Sequence, residues 1–187
     1  MRRVLLTLCA ILAIAGITIA YAIETEPSWY VRLRYPLHYG AIVRGHAKNY
    51  RLDPALVAAV IYAESKFDPA TTSRAGAVGL MQLLPDTAQG IADRTGGGAF
   101  TPADLLDPEL NIRYGCWYLN HLRSRYRGKG DALVLSLAAY NAGQANVDSW
   151  LAAAGDGAAV AIPFAETRAY IDRVLHLRAL YRRAYDL

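Results

Sequence analysis

The distribution of apolar positions divides the chain in two. Between Arg2-Arg3 and Glu24 lies a run from Val4 to Ile23 with no charged residue. Twenty residues of helix, at about 1.5 Å each, reach about 30 Å, the thickness of a bilayer core. The basic residues ahead of the run should stay in the cytoplasm, so the pattern predicts export of everything after Glu24. Ala20-Tyr21-Ala22 fits the small-x-small rule of a signal-peptide cleavage site, although the run exceeds the usual apolar region of such a peptide. Residues 1–23 are thus expected to be a signal peptide or a single transmembrane anchor, and residues 24–187 one domain.

Beyond Pro36 the apolar period is helical and strand-like alternation is nearly absent. A helix is expected from about Leu37 to Tyr50. A second opens at Pro54 with Asp53 as N-cap, carries Leu56, Val57, Val60, Ile61 and Glu64, and stops before Pro69, because a pre-proline residue avoids the helical region. Thr71 to Gly79 reads as a loop entering a short helix around Leu80 to Leu84. Pro85-Asp86-Thr87 opens another helix that Thr95-Gly96-Gly97-Gly98 ends. Asp107-Pro108-Glu109 starts one that runs to about Tyr126 through Leu110, Tyr114, Trp117 and Leu122. Asp131 caps a helix that Gly143 stops, and a last helix runs from about Glu166 to Tyr185.

Composition narrows this picture. Hydrophobic residues are 54% of the 187 and charged residues 19%, apolar enough for a core and too apolar for disorder. Cys9 lies in the apolar run and Cys116 far downstream, so no disulfide framework is available. Cys116, followed by Trp117-Tyr118-Leu119, is expected to be a buried structural thiol. No metal or cofactor is implied. The net charge of +4 suits an anionic surface. Arg123, Arg125, Arg127 and Lys129 form one basic group, and Arg168, Arg173, Arg178, Arg182 and Arg183 form another, expected to be a solvated helix face. Export and the lack of a recognition-helix or zinc-finger pattern argue against a nucleic-acid partner.

Most carboxylates have structural explanations, since Asp53, Asp86, Asp104, Asp107, Glu109 and Asp131 stand at or beside helix starts. Glu64 does not. On a helix it shares a face with Val57, Val60 and Ile61, and it falls in the last turn, where the dipole opposes negative charge. Both effects favour the neutral acid, the form a proton donor near neutral pH requires. No persuasive second carboxylate accompanies it; Asp68, before Pro69, suits a turn or cap.

Four motifs then follow in order: Glu64-Ser65-Lys66-Phe67; Ser73-Arg74-Ala75-Gly76-Ala77-Val78-Gly79-Leu80-Met81-Gln82-Leu83-Leu84-Pro85; Ala138-Ala139-Tyr140-Asn141-Ala142-Gly143; and Glu166-Thr167-Arg168-Ala169-Tyr170. Together they closely resemble the soluble lytic transglycosylase family, relatives of goose-type lysozyme, over roughly Tyr50 to Val174. Two leucines before Pro85, where members often have a single residue between Gln and Pro, are a modest departure.

The resemblance implies an all-α fold: a lysozyme-like helical domain with a glycan-binding groove, here preceded by one N-terminal hydrophobic helix. It implies that Glu64 is the only catalytic carboxylate. Glu64 would protonate the glycosidic oxygen between N-acetylmuramic acid and N-acetylglucosamine, then act as base on the muramyl 6-hydroxyl to close a 1,6-anhydro ring. It further implies Ser73, Met81, Gln82, Tyr140, Asn141, Glu166 and Tyr170 as substrate-groove residues, with the Tyr140 hydroxyl facing the acid. The expected partner is the peptidoglycan glycan strand, met by a monomer in the bacterial envelope, with a membrane contact if the N-terminal helix is retained. A hydrolase of the same fold and an inactive glycan-binding scaffold stay open as alternatives.

Overall fold

A computed structural model describes residues 2–155 and 160–187 of the chain. Its helices are α1 (Arg2–Thr25), α2 (Ser28–Arg34), α3 (Gly40–Asn49), α4 (Pro54–Ser65), α5 (Pro85–Thr95), α6 (Pro108–Arg125), α7 (Ala132–Ala142), α8 (Gln144–Ala154) and α9 (Ala165–Tyr185), with a 3-10 turn at Pro102–Leu106. Among the described residues there is no strand, only isolated bridges that pair Val78 with Thr72 and with Leu83. The expected all-α architecture and the apolar N-terminal helix are both present.

α4 is the centre. Every residue from Ala55 to Ile61 is buried, so the helix is apolar on all sides and must be enclosed by others. It packs against α3 and, most extensively, against α9, and residues of α6 and α7 join the same core. The core runs from Val43 through Val57, Val60 and Ile61 to Ile112, Leu119, Leu137, Tyr170, Val174 and Tyr181. Cys116 lies inside it, and burial pushes its thiol pKa far up, which leaves it inert as expected.

The caps behave as their residue types dictate. Asp53, Asp107 and Asp131 each accept backbone N–H groups at the starts of α4, α6 and α7. Asp104 closes a capping box with Thr101. Asp53 also binds Arg178 and Arg182 of α9 through Oδ2, tying the first turn of α4 to α9. Those two arginines, Arg168, which donates to the Ile162 and Pro163 carbonyls, and Arg183, which donates to the Glu26 carbonyl, are clamps between segments. The expectation of a merely solvated arginine face on α9 is corrected accordingly.

Three elements differ from the sequence expectation. α2 and α8 were hidden, α2 because it is two turns long and α8 because it follows Gly143 directly. The helix expected around Leu80 to Leu84 is instead a hydrogen-bonded loop: Val78 and Leu83 exchange both backbone bonds, and Gly79 N–H donates to the Thr71 carbonyl. Two positive φ angles, at Gly79 and Gln82, are incompatible with a helix there. Gly79 also sits so close to the Asn111 side chain and the Leu105 carbonyl that any Cβ would overlap them.

Asn111 holds this loop. Wholly buried on α6, it accepts from Met81 N–H at 2.8 Å and donates to the carbonyls of Val78 (3.0 Å) and Leu105 (2.8 Å). Replacing it would strand the Met81 N–H and the Leu105 carbonyl, each costing about 1–3 kcal/mol if left unpaired and dry, and leave the Val78 carbonyl with the Leu83 N–H alone. Asn111→Ala is expected to destabilise the domain by about 3 kcal/mol or more, with the loss of Met81 and Val78 amide protection in hydrogen exchange as the local signature.

Candidate active site

Glu64 lies in the last turn of α4, at the edge of the core, half-buried and without a salt bridge among the described residues. Its neighbour Ser65 is buried, and its hydroxyl is shared between the carbonyls of Ile61 (3.2 Å), in its own helix, and Leu80 (2.9 Å), in the loop beyond. The helix end is thus tied to that loop. Just after it, Lys66 and Phe67 both take positive φ, 53° and 66°, left-handed conformations that cost about 1–2 kcal/mol each. The buried Phe67 ring, edge-on to Tyr181 and His38, secures this turn.

Burial raises the Glu64 pKa from its ordinary value to about 7, against a weaker opposing pull from the Tyr170 hydroxyl and from Arg173. The dipole at the helix C-terminus acts in the same direction as burial. At neutral pH the carboxyl is therefore poised between donating and accepting a proton. No carboxylate is among the groups that shift Glu64. Asp68, the nearest in sequence, accepts the Ala70 N–H at 2.9 Å and is exposed, a turn cap as expected.

Two tyrosines, Tyr170 buried and Tyr140 half-buried, stand beside the acid, and both have pKa values pushed well above normal, by burial first and then by the Glu64 charge. Their roles differ from expectation. The Tyr140 hydroxyl donates to the Met81 carbonyl at 2.7 Å, so it supports the loop and does not point its proton at Glu64. The Tyr170 hydroxyl is buried with no partner at full hydrogen-bond geometry. Its only pull is on Glu64, a looser contact than a formed bond. Tyr170 thus stands at the acid together with Tyr140, whose own proton goes to the Met81 carbonyl.

The other expected groove residues divide. Met81 is 0% exposed, with its side chain lodged on Gly115, where a Cβ would collide with it. Its placement along an open groove is corrected: Met81 is core, and its peptide carries the contacts. Gln82 spends both amide hydrogens on the Thr71 and Gly79 carbonyls, which leaves only its carbonyl oxygen free. The Ser73 hydroxyl accepts from Ala77 N–H at 3.0 Å, closing the loop tip while keeping its own proton. Exposed Asn141 accepts from Thr167 Oγ1 at 2.8 Å, joining the end of α7 to the first turn of α9. Glu166 is exposed in that same turn, one turn before Tyr170.

Sequence reasoning missed the neighbouring cleft. A hollow of about 360 Å³ opens between α5, α6 and the start of α8, lined by Arg94, Trp117, Tyr118, His121 and Gln144 among others. Tyr118 packs against Tyr140 with ring centroids 5.5 Å apart, so one wall of the cleft touches a tyrosine that neighbours Glu64. Trp117 and His121 stack nearly parallel at 5.1 Å, and burial, with Arg94 and Arg125, lowers the His121 pKa. Trp117 had the helical spacing of a core residue; its i+4 relation to His121 was the available signal.

Comparison with known proteins identifies the family and the fold. The family model described as the transglycosylase SLT domain matches residues 41–162. Soluble lytic murein transglycosylase of Escherichia coli K12 is 38% identical over 155 residues, and the putative enzyme of Haemophilus influenzae 35% over 151; the matches cover 80% and 78% of this chain. The chain spans about a quarter of the length of these relatives, 24% and 25%. Among solved structures, an inactive Glu-to-Gln mutant of the lytic transglycosylase Slt from Pseudomonas aeruginosa superposes with a TM-score of 0.74 at 32% identity, over 89% of this chain and 27% of that one. The 70-kDa soluble lytic transglycosylase in complex with bulgecin A gives 0.72 at 36%, over 82% and 25%. With a family model matching well over half of its length and the lysozyme-like helical fold shared with these structures, the chain belongs to the transglycosylase SLT family.

Proposed function

We propose that this chain is a peptidoglycan lytic transglycosylase of the bacterial envelope, with residues 24–187 as its catalytic domain. It cleaves the β-1,4 bond between N-acetylmuramic acid and N-acetylglucosamine. The observation that carries this reading is a single carboxyl group, Glu64, with its pKa raised to about 7 and no carboxylate among the groups that shift it. Glycosidases that work with two carboxylates hold them about 5–9.5 Å apart. A lone acid needs a nucleophile from elsewhere, and the muramyl 6-hydroxyl supplies one within the substrate.

In this mechanism protonated Glu64 gives its proton to the glycosidic oxygen as the C1–O bond breaks. The resulting carboxylate takes the proton of the 6-hydroxyl as that oxygen bonds to C1, which closes the 1,6-anhydro ring and restores the acid. Water is not consumed. A pKa near neutrality serves both halves, since each demands the opposite protonation state. That a Glu-to-Gln mutant of the Pseudomonas relative is inactive supports one glutamate as essential.

The Tyr170 hydroxyl, free to donate, would steady the carboxylate between the two steps. Ser73, Gln82, Asn141 and Glu166 would meet the glycan through the hydrogen-bonding capacity their internal contacts leave over. The stacked Trp117–His121 pair would offer a flat face to a sugar ring further along. α1, one helix long and apolar enough to cross a membrane, would be retained as an anchor that keeps the enzyme at the membrane surface.

Digestion of purified peptidoglycan by the full chain is expected to release 1,6-anhydromuropeptides, read by mass spectrometry. Products with reducing muramyl ends alone would assign the chain to hydrolysis by water. Glu64→Gln is expected to abolish turnover with the fold intact. Because the folded protein holds the Glu64 proton more tightly than the unfolded chain, this residue withdraws stability as pH rises from about 4.5 to about 7. The Gln variant should therefore melt above the wild type at pH 8, and the gap should close towards pH 4.5. In kcat/KM the alkaline limb should fall through about pH 7. Tyr170→Phe removes a group that lowers the Glu64 pKa, so it should move that limb up by roughly 0.5–1 pH unit, the size of one modest hydrogen bond; an unmoved limb would separate Tyr170 from the acid.

A further inference from the structure

α2 is apolar on two opposite sides. Val31 is 0% exposed and packs on Leu180 and Ala184 of α9. Trp29 and Leu33, one turn apart, project from the other side and are 55% and 77% exposed. Single exposed apolar residues need no explanation. These two occupy a helix that begins only three residues after α1 ends.

The junction between the two helices is fixed. Glu26 takes a positive φ of 43°, turning the chain. Its carboxylate meets His176 Nε2 at 3.2 Å, and its carbonyl accepts from Arg183 at 2.6 Å. Ala22, at the end of α1, is 3% exposed. The base of α1 and the start of α2 are therefore both held on α9, and α2 leaves the apolar helix at a set place.

Arg32 and Arg34 flank Leu33 at one residue's rotation to either side. Arg32 donates to the Ala184 carbonyl at 2.8 Å and lies over the Tyr185 ring; Arg34 donates to the Tyr62 hydroxyl at 2.8 Å. Neither these two nor Arg183 has a carboxylate partner among the described residues. Their positions are fixed by neutral acceptors and their charges are left uncompensated.

We propose that α2 is an interfacial helix. Trp29 and Leu33 enter the surface of the membrane that α1 spans, and Arg32, Arg34 and Arg183 meet anionic phospholipid headgroups, which seats the catalytic domain on the lipid in one orientation. The proposal rests on α1 being retained as the anchor. At the foot of a spanning helix, α2 lies at headgroup level, where Trp is favoured, where an apolar side chain reaches the acyl boundary, and where basic residues are attracted to an anionic surface.

The test uses the full chain reconstituted in vesicles of phosphatidylglycerol and phosphatidylcholine, with the acyl chains brominated to quench nearby tryptophan. Wild type should float with the vesicles and lose the Trp29 share of its emission; Trp29→Phe should float equally and lose almost none. Leu33→Glu, at an exposed position, should weaken the quenching without changing flotation or melting temperature. Pure phosphatidylcholine should weaken it as well, and equal quenching on both lipids would remove the arginines from the contact. Flotation with identical emission changes in wild type and Trp29→Phe would overturn the interfacial helix while leaving the anchor in place, and would point to a protein occupant of this face. Failure to float would overturn the anchor, and the interfacial helix with it.

Discussion

A helix apolar on every face has no side to show to water, and the architecture of this domain follows from having to enclose α4. α3 and α9 pack directly on it and α6 and α7 contribute to the same core, and the Asp53 bridge to Arg178 and Arg182 fixes how far α9 slides along it. An ion pair shared by one carboxylate and two guanidiniums is only partly screened, since Asp53 is itself little exposed. Enclosure stops where α4 does. Its last turn reaches the rim of the core, so the residue placed there is dry on one side and accessible on the other.

That position gives Glu64 its chemistry. Desolvation pushes its pKa up and the helix dipole adds to it, while Tyr170 and Arg173 keep the rise from running to a permanently neutral acid. The balance comes from where the helix ends more than from any designated partner. Ser65, whose hydroxyl reaches the Leu80 carbonyl, and Asn111, which binds the N–H of the same peptide, join the loop that faces the acid to the helix that carries it.

Much of this was legible in the sequence because it rests on local chemistry. Asp53-Pro54, Asp107-Pro108 and Asp131 announce their helices through caps that need only the next three residues. Glu64 could be singled out because a charged residue on an apolar stripe violates the pattern around it. What was not legible depends on non-local partners. The turn at Leu80 to Leu84 is decided by Gly79 packing against Asn111 and Leu105, residues far ahead in the chain. That the Tyr140 hydroxyl, and not that of Tyr170, donates to the Met81 carbonyl is likewise decided by residues distant in the chain. Met81 was misplaced along the groove, since a sequence motif does not say whether another element, here α6 at Gly115, covers the side chain.

The contacts around Met81 carry one more consequence. Its N–H is held by Asn111 on α6, its carbonyl by Tyr140 on α7, and the preceding carbonyl by Ser65 at the end of α4. Three helices thus share two adjacent peptide units, so a thermal displacement of any one carries the others with it. Motion of this kind is common-mode: the acid, Tyr140 and the loop can drift together relative to solvent while the separations between them stay nearly constant. A reaction that passes one proton out and back through a single carboxyl tolerates the drift and is sensitive only to those separations.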